Sequence, residues 1–372
     1  MKYTSIKNKI VLLRLDLNVP IENSKIVDDY RILSSMPTID LLLKNKNKIV
    51  IISHLGEKNE SLYPVYQYLK KKYKALLFVN NADLKLAVVD VKSQIQNSPL
   101  VMMENLRTYE GEKANSAAFA KALASMADVY VFDAFAVAHR KHASVVSVSR
   151  YLPHCVGPLI VSELKGLAPT QRISRQTLFI LGGAKISTKL PLIDRYVSEG
   201  ATVFVGGAMA HNIMMTQNIS IGKSLYDTEI DQKALKNKLF WKTNRVYIPS
   251  DYVTDKNKVG NTSQILKNEA IMDLGPETFS MIKRLIDSHK TIIVNGPLGL
   301  YEKGYDKGSM AIIKYLASDK NQSKKIIAGG GDTVTLIEKV KLGKRFDFVS
   351  TGGGAMLYYM EKGSLPGIES NK

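Results

Sequence analysis

Residues 325–355, KIIAGGGDTVTLIEKVKLGKRFDFVSTGGGA, hold two copies of one local pattern. A short apolar run (Ile326–Ala328, then Phe346–Val349) enters a triple-glycine turn (Gly329–Gly331, then Gly352–Gly354), and a stretch with helical spacing leaves each turn. A buried strand feeding a helix in this way restricts the chain to an α/β architecture with a largely parallel sheet. Glycine at the strand end lets backbone N–H groups approach a ligand, and the helix start adds unpaired donors and a positive dipole end. Phosphate suits such a site. Asp332 follows the first glycine run, where a carboxylate beside bound phosphates implies Mg²⁺. One such turn is explained by chain reversal alone; two close together, one carrying an acid, point to a nucleotide.

The pattern extends upstream. TLFILGGAK (177–185), TVFVGGAMA (202–210) and TIIVNGPLG (291–299) are further apolar runs ending in glycine turns. The first half has its own strand-length runs, at 9–20, 48–56, 99–111 and 128–140, alternating with helical spacing at 31–44 and 116–127. At 372 residues, about two domains are expected. GPLIVSELKGLAP (157–169) reads as a helix closed by a Gly/Pro loop, a natural connector. The less regular segment 223–275, with the sole tryptophan Trp241, suggests no role.

Composition narrows the partners. The single cysteine, Cys155, excludes an internal disulfide and fits a reducing cytoplasm. No apolar run approaches the roughly 18 residues of a membrane span. The net charge of +18 would attract polyanions, yet the lysines are scattered and no nucleic-acid-binding signature accompanies them. Only 11 of the 52 basic residues are arginine, so the placement of arginine is informative. Arg14, Arg31, Arg107 and Arg140 all lie in or beside strand-end motifs of the first half, with Asp16, Asn18, His54, Glu104, Asn105, Asp133, His139 and His142. Guanidinium forks there describe a pocket for a small, multiply charged anion. In the second half Lys185 and Lys189 follow a glycine turn, and their spacing predicts both on one face of a helix start, aimed at phosphates. Gly222-Lys223-Ser224 is not a Walker loop, because its leading glycine would fall at Gln217. An anion pocket on one half and a phosphate cradle on the other suggest phosphoryl transfer between two closing domains.

These motifs, in order, resemble the phosphoglycerate kinase family: RLDLNVP (14–20), DDYRI (28–32), SHLG (53–56), ENLR (104–107), DAF and AHRKH (133–142), GGAKISTK (182–189), NGPLG with YE (295–302), GGGDT (329–333), TGGGA (351–355) and LPGI (365–368). The resemblance implies two Rossmann-like three-layer lobes with parallel sheets. They would comprise an acceptor lobe (1–156), a connecting helix and hinge (157–170), a nucleotide lobe (171–355) and a C-terminal tail (356–372) returning to the first lobe. It implies a monomeric cytoplasmic enzyme that transfers phosphoryl reversibly between ATP/ADP and 3-phosphoglycerate with Mg²⁺. Carried over by position, Asp16, Asn18, Arg31, His54, Arg107 and Arg140 would hold the acceptor, Arg31 also reaching the transferred group. Lys185 and Lys189 would neutralise nucleotide phosphates, with Lys185 following the phosphoryl group and the amides near Gly331 and Gly354 binding its oxygens. Gly182, Gly183, Asn295, Pro297, Gly329, Gly330 and Thr333 would line the nucleotide. Gly206 and Gly207 would shape the adenine pocket, Glu302 would take the ribose, and Asp332 would hold Mg²⁺.

The chain departs from the family pattern at Glu57, where an arginine is expected after SHLG, and at Phe132, Ala136 and Val137, expected at the edge of the acceptor pocket. Either Glu57 faces that pocket or it turns away and Lys58 substitutes. The alternatives to an active kinase are a diverged relative with altered acceptor chemistry and a nonenzymatic polyanion-binding protein.

Overall fold

Branched apolar runs become the inner strands of two six-stranded sheets in the computed structural model, which describes residues 2–57, 60–238, 243–261 and 264–371. The chain divides into two compact units, Met1–Lys165 with Ser364–Lys372, and Gly166–Gly363.

In the first unit β1 (Ile10–Leu15), β2 (Lys48–Ile52), β3 (Leu77–Val79), β4 (Leu100–Met103), β5 (Val129–Asp133) and β6 (His154–Val156) pair parallel in the order β3-β4-β2-β1-β5-β6. Val11, Leu13 and Leu15 on one side of β1 are buried, and so is Leu12 on the other. Burial at both parities means that both faces of the sheet are covered, which is why these strands read as continuous apolar runs. Helix Tyr30–Lys44 contributes Ile32, Ile39 and Leu42 to one core. Helix Leu84–Asn97 is started by Asp83, whose carboxylate accepts from Lys85 N at 2.7 Å, and it buries Ala87, Val91 and Ile95.

The second unit repeats this plan. Its strands β7 (Thr177–Leu181), β8 (Thr202–Val205), β9 (Val246–Tyr247), β13 (Thr291–Asn295), β14 (Lys325–Gly329) and β15 (Phe348–Ser350) are parallel in the order β9-β8-β7-β13-β14-β15. Between β9 and β13 the chain forms a small antiparallel sheet of β10 (Asp251–Thr254), β11 (Val259–Asn261) and β12 (Ile271–Leu274), in the order β11-β10-β12. In each large sheet the chain builds outward on one side of its first strand and then crosses to the other. The crossing leaves a switch point at the carboxyl ends of β1/β5 and of β7/β13, where ligands of open α/β sheets bind.

The connector is a helix over Pro158–Leu167 followed by a 3₁₀ turn at Ala168–Gln171. Helix Gly354–Lys362 stays in the second unit, with Met356 and Met360 buried. The chain rejoins the first unit only from Ser364. There Gly367 N–H donates to Ala138 O at 2.8 Å and Asn371 Nδ2 to Val145 O at 3.0 Å. A β-carbon at Gly367 would lie 2.9 Å from the Phe132 ring, so the return depends on glycine at this approach. Phe132, expected at the edge of the acceptor pocket, is fully buried against this return, on the same side of β5 as Tyr130 and in register with Arg14 of β1, and Val137 is buried as well.

Candidate functional site

At the switch point of the second unit, Gly182 N–H donates to Asn295 O (2.9 Å) and Gly183 N–H to Pro297 O (2.9 Å), stitching the ends of β7 and β13 together. A β-carbon on Gly182 would come within 2.1 Å of Pro297 O; only glycine fits there. The result is a cleft of about 460 Å³. Gly183, Gly207, Pro297, Glu302 and Asp332, all singled out from the sequence, line it together. Gly182, Gly206, Asn295, Gly329, Gly330 and Thr333 stand behind that lining. Gly206 N–H, for instance, donates to Leu181 O at 2.8 Å, and Thr333 Oγ1 accepts from Gly296 N at 2.8 Å.

The opposite wall was not anticipated. Tyr252 and Ile271–Leu274 of the antiparallel sheet line the cleft, with Asp255 just past β10 and Lys223 and Leu225 before the sheet. These residues lie within the segment 223–275 to which the sequence assigned no role; Trp241 falls outside the described residues. Leu225, Tyr252, Ile271 and Leu274 make this wall apolar and suited to a flat ring, while the glycine edge offers polar backbone.

Lys185 and Lys189 do not share a helix face. The helix begins at Leu190 with Pro191 in its first turn, where a missing N–H is tolerated; a helix running back to Lys185 would need that N–H. Lys189 turns inward, donating to Gly182 O at 2.7 Å, whereas Lys185 points outward to Glu229 Oε1 at 2.7 Å. Burial pulls the Lys189 ammonium down to about 8, with Asp332 opposing that fall. Lys189 is therefore mostly charged at pH 7, half-charged near pH 8 and mostly neutral by pH 9. Affinity for a nucleotide phosphate is expected to fall as pH rises from 7 to 9, with proton uptake on binding near pH 8.5, measurable by calorimetry in two buffers. Lys189→Met should abolish that proton uptake.

Asp332 lies in the first turn of helix Gly331–Lys339 and accepts from the Tyr301 hydroxyl at 2.9 Å. Among the described residues no group of three or more His, Cys, Asp or Glu side chains is placed to cage a metal. A single carboxylate does fit Mg²⁺, which keeps its waters and takes its remaining ligands from substrate phosphates. Gly331 opens the same helix, and a β-carbon added to it would meet nothing within 4 Å. Packing gives no reason for glycine there. Gly331→Ala is therefore expected to leave the melting temperature unchanged or slightly raised, while lowering kcat/KM for ATP by about 10-fold or more, through the space a ligand needs. Gly354 likewise opens the helix Gly354–Lys362.

In the first unit the cationic strand ends converge around Arg14. This buried guanidinium donates to Ser144 Oγ (3.0 Å), Ser53 Oγ (3.4 Å) and Leu15 O, and lies 3.2 Å from His54 Nδ1. Ser144 in turn donates to the buried Glu112 at 2.6 Å. Burial pushes the Glu112 carboxyl up and the neighbouring Arg14 holds it back. Neither brace was predicted, since Glu112 and Ser144 carry no motif. Arg14 does not take Asp16; Arg31 does, at 3.1 Å, and it also donates to Asn18 O at 3.0 Å. Asn18 Oδ1 accepts from Gly56 N at 2.8 Å.

Burial, then Arg14 and Arg107, hold the His54 imidazole well below its ordinary value, so the ring is neutral. A guanidinium can only donate, so Nδ1 accepts and the ring proton sits on Nε2. That Nε2–H is buried without a partner among the described residues, as is Arg107 Nε. Asn105 braces the adjoining loop, its amide donating to Leu55 O (2.7 Å), Glu57 O (3.1 Å) and Glu60 O (2.7 Å). Glu104 accepts from Leu62 N and Asn105 N, both at 2.7 Å. Arg140 sits half-buried after the turn Phe135–Val137. Glu57 does not turn away: it pairs with Arg107 at 3.1 Å and with Lys113. Lys58, the suggested substitute, lies outside the described residues.

The sequence and the fold are similar to those of known proteins. The family model described as phosphoglycerate kinase matches residues 1–363. A phosphoglycerate kinase of Buchnera aphidicola is 36% identical over 99% of this chain and 97% of its own length. One from Orientia tsutsugamushi (strain Boryong) is 38% identical over 98% of this chain and 95% of its own. The structure of phosphoglycerate kinase from Coxiella burnetii superposes with a TM-score of 0.80 at 33% identity, over 98% of this chain and 96% of that one. The enzyme from Pyrococcus horikoshii OT3 gives a TM-score of 0.85 at 25% identity, with the same coverages.

Proposed function

The chain belongs to the phosphoglycerate kinase family, and from that premise we propose how its residues divide the transfer of phosphoryl between ATP and 3-phosphoglycerate. The enzyme is a phosphotransferase with a carboxyl acceptor. A carboxylate oxygen of 3-phosphoglycerate attacks the γ-phosphorus of ATP, a P–O bond forms, the bond to the β-phosphate oxygen breaks, and ADP leaves with the electron pair. The attacking carboxylate is already ionised, so no general base is required. What remains for the protein is alignment and charge neutralisation.

We assign the acceptor to the first unit. Arg107 and Arg140 take its phosphate, and Arg31 takes the glycerate together with the transferred group. Asp16 and Asn18 orient Arg31 and the acceptor hydroxyl, and His54 donates from Nε2. The nucleotide belongs to the second unit, with its base against the apolar wall, its ribose at Glu302 and its phosphates along Gly331, Lys189 and Lys185. Bound Mg²⁺ supplies neutralisation of phosphate oxygens, and Asp332 is the carboxylate assigned to it. The single observation that supports this division is that the loops at the carboxyl ends of each sheet's strands hold donors or space that the described residues leave unused. These are the buried donors His54 Nε2 and Arg107 Nε in one unit, and the open space at Gly331 in the other.

The reading also takes the chain as a cytoplasmic monomer, and its single cysteine, Cys155, is free and buried. No helix among the described residues is long and apolar enough to cross a membrane. The lysine run 70–72 has local partners: Lys72 pairs with Asp40 at 2.6 Å, and Lys70 lies over the Tyr66 ring. That run therefore gives little support to a polyanion-binding role. A coupled assay with ATP, Mg²⁺ and 3-phosphoglycerate tests the proposal. Turnover dependent on all three is expected; nucleotide binding without transfer would overturn it.

A further inference from the structure

Glu57 occupies a peculiar position in the cationic cluster of the first unit. Its side chain is 71% exposed, yet both carboxylate oxygens are engaged: Oε1 lies 3.1 Å from Arg107 Nη1, and Oε2 accepts from Lys113 Nζ. Arg107 is only 5% exposed, and its Nη1 also donates to Gly56 O. This guanidinium is thus covered by a carboxylate from the loop that follows β2. Lys113, on the short helix Glu110–Lys113, reaches the same carboxylate from another element. The local geometry is that of a bound anion: one two-oxygen acceptor bridging a buried guanidinium and a half-exposed ammonium.

We infer that Glu57 is an internal stand-in for the acceptor's phosphate, displaced when 3-phosphoglycerate binds, and that Lys113 is a further phosphate-binding residue passed from Glu57 to the substrate. This rests on the assignment of the Arg107 cluster to the acceptor. The direction of exchange follows from charge. A phosphate monoester brings nearly two negative charges and three acceptor oxygens, against one charge and two oxygens for the carboxylate. Lys113 and Arg107 hold the Glu57 carboxyl below its usual range, so it remains a competing anion at neutral pH. The carbonyls of Leu55, Glu57 and Glu60 stay held during the exchange, because Asn105 binds them independently of the Glu57 side chain. Glu57 thereby tunes acceptor affinity, and Lys113 supplies a cation outside the strand-end motifs.

The test compares Glu57→Gln, Lys113→Met and the double variant by steady-state kinetics, and by calorimetric titration of 3-phosphoglycerate without nucleotide. Glu57→Gln is expected to tighten 3-phosphoglycerate about 5-fold, and Lys113→Met to weaken it by a similar factor. The change should fall mainly in KM for the acceptor. Inorganic phosphate should compete with 3-phosphoglycerate more strongly in Glu57→Gln than in the parent. A Glu57 that merely holds Arg107 in place predicts the reverse, weaker binding in Glu57→Gln. That result, or indifference of acceptor binding to Lys113→Met, overturns the inference. A parent protein that binds 3-phosphoglycerate but never transfers phosphoryl would instead overturn the functional assignment.

Discussion

Replacing Arg31 with methionine is expected to lower kcat/KM for 3-phosphoglycerate about 10³-fold, the scale of losing an arginine that meets transition-state charge. Both contacts that fix Arg31, to Asp16 at 3.1 Å and to Asn18 O at 3.0 Å, use Nη1. The remaining edge of the fork is left for substrate. Asp16 is nearly buried, so Arg31→Met also strands a carboxylate and will cost some stability. Arg31→Lys separates the two effects. Lysine preserves the charge beside Asp16 but not the planar fork, so its melting temperature should stay close to the parent while most of the activity is lost. Full activity in Arg31→Lys would show that charge alone suffices and that the fork has no role.

Asp332→Asn should produce the second-largest loss, about 10²-fold in kcat at low Mg²⁺, partly recovered as Mg²⁺ is raised. The substitution is nearly isosteric, and the Tyr301 hydroxyl that donates to Oδ1 at 2.9 Å can still donate to the amide oxygen. Asp332 is exposed at a helix start, so the fold loses only a small dipole interaction. Nucleotide binding in EDTA should therefore match the parent, and the difference should appear only when Mg²⁺ is added. Equal losses with and without Mg²⁺ would assign Asp332 to the nucleotide itself.

Long apolar runs made the inner strands of both sheets legible, and their glycine endings marked the second switch point. The strands that escaped, Leu77–Val79, His154–Val156 and Val246–Tyr247, are all edge strands of two or three residues. An edge strand pairs on one side only and needs no long apolar run. The antiparallel sheet Asp251–Leu274 escaped for a related reason: its strands are three or four residues long and interleave Asp251, Thr254, Asn261 and Asp273 with their apolar residues, yet it supplies a wall of the nucleotide cleft. A possible signal was its boundary chemistry, with turn-forming Asn257 between two short runs at positive φ of 57°.

Spacing also has limits as a guide to side-chain direction. Lys185 and Lys189 share helical spacing, but a proline two residues after Lys189 delays the helix past both. Sequence could place Glu57 beside a cationic motif. It could not show that the partner would be Lys113, 56 residues later, because that contact exists only once two loops of the first unit meet.

The division of labour is tested most directly by a binding matrix: calorimetric titration of 3-phosphoglycerate and of ADP, each alone, into the parent, Arg31→Met and Lys189→Met. The account predicts that Arg31→Met loses at least 10-fold in affinity for 3-phosphoglycerate and none for ADP, while Lys189→Met shows the converse. If either variant weakened both ligands equally, or if each weakened the ligand assigned to the other unit, the assignment of acceptor and nucleotide would be contradicted.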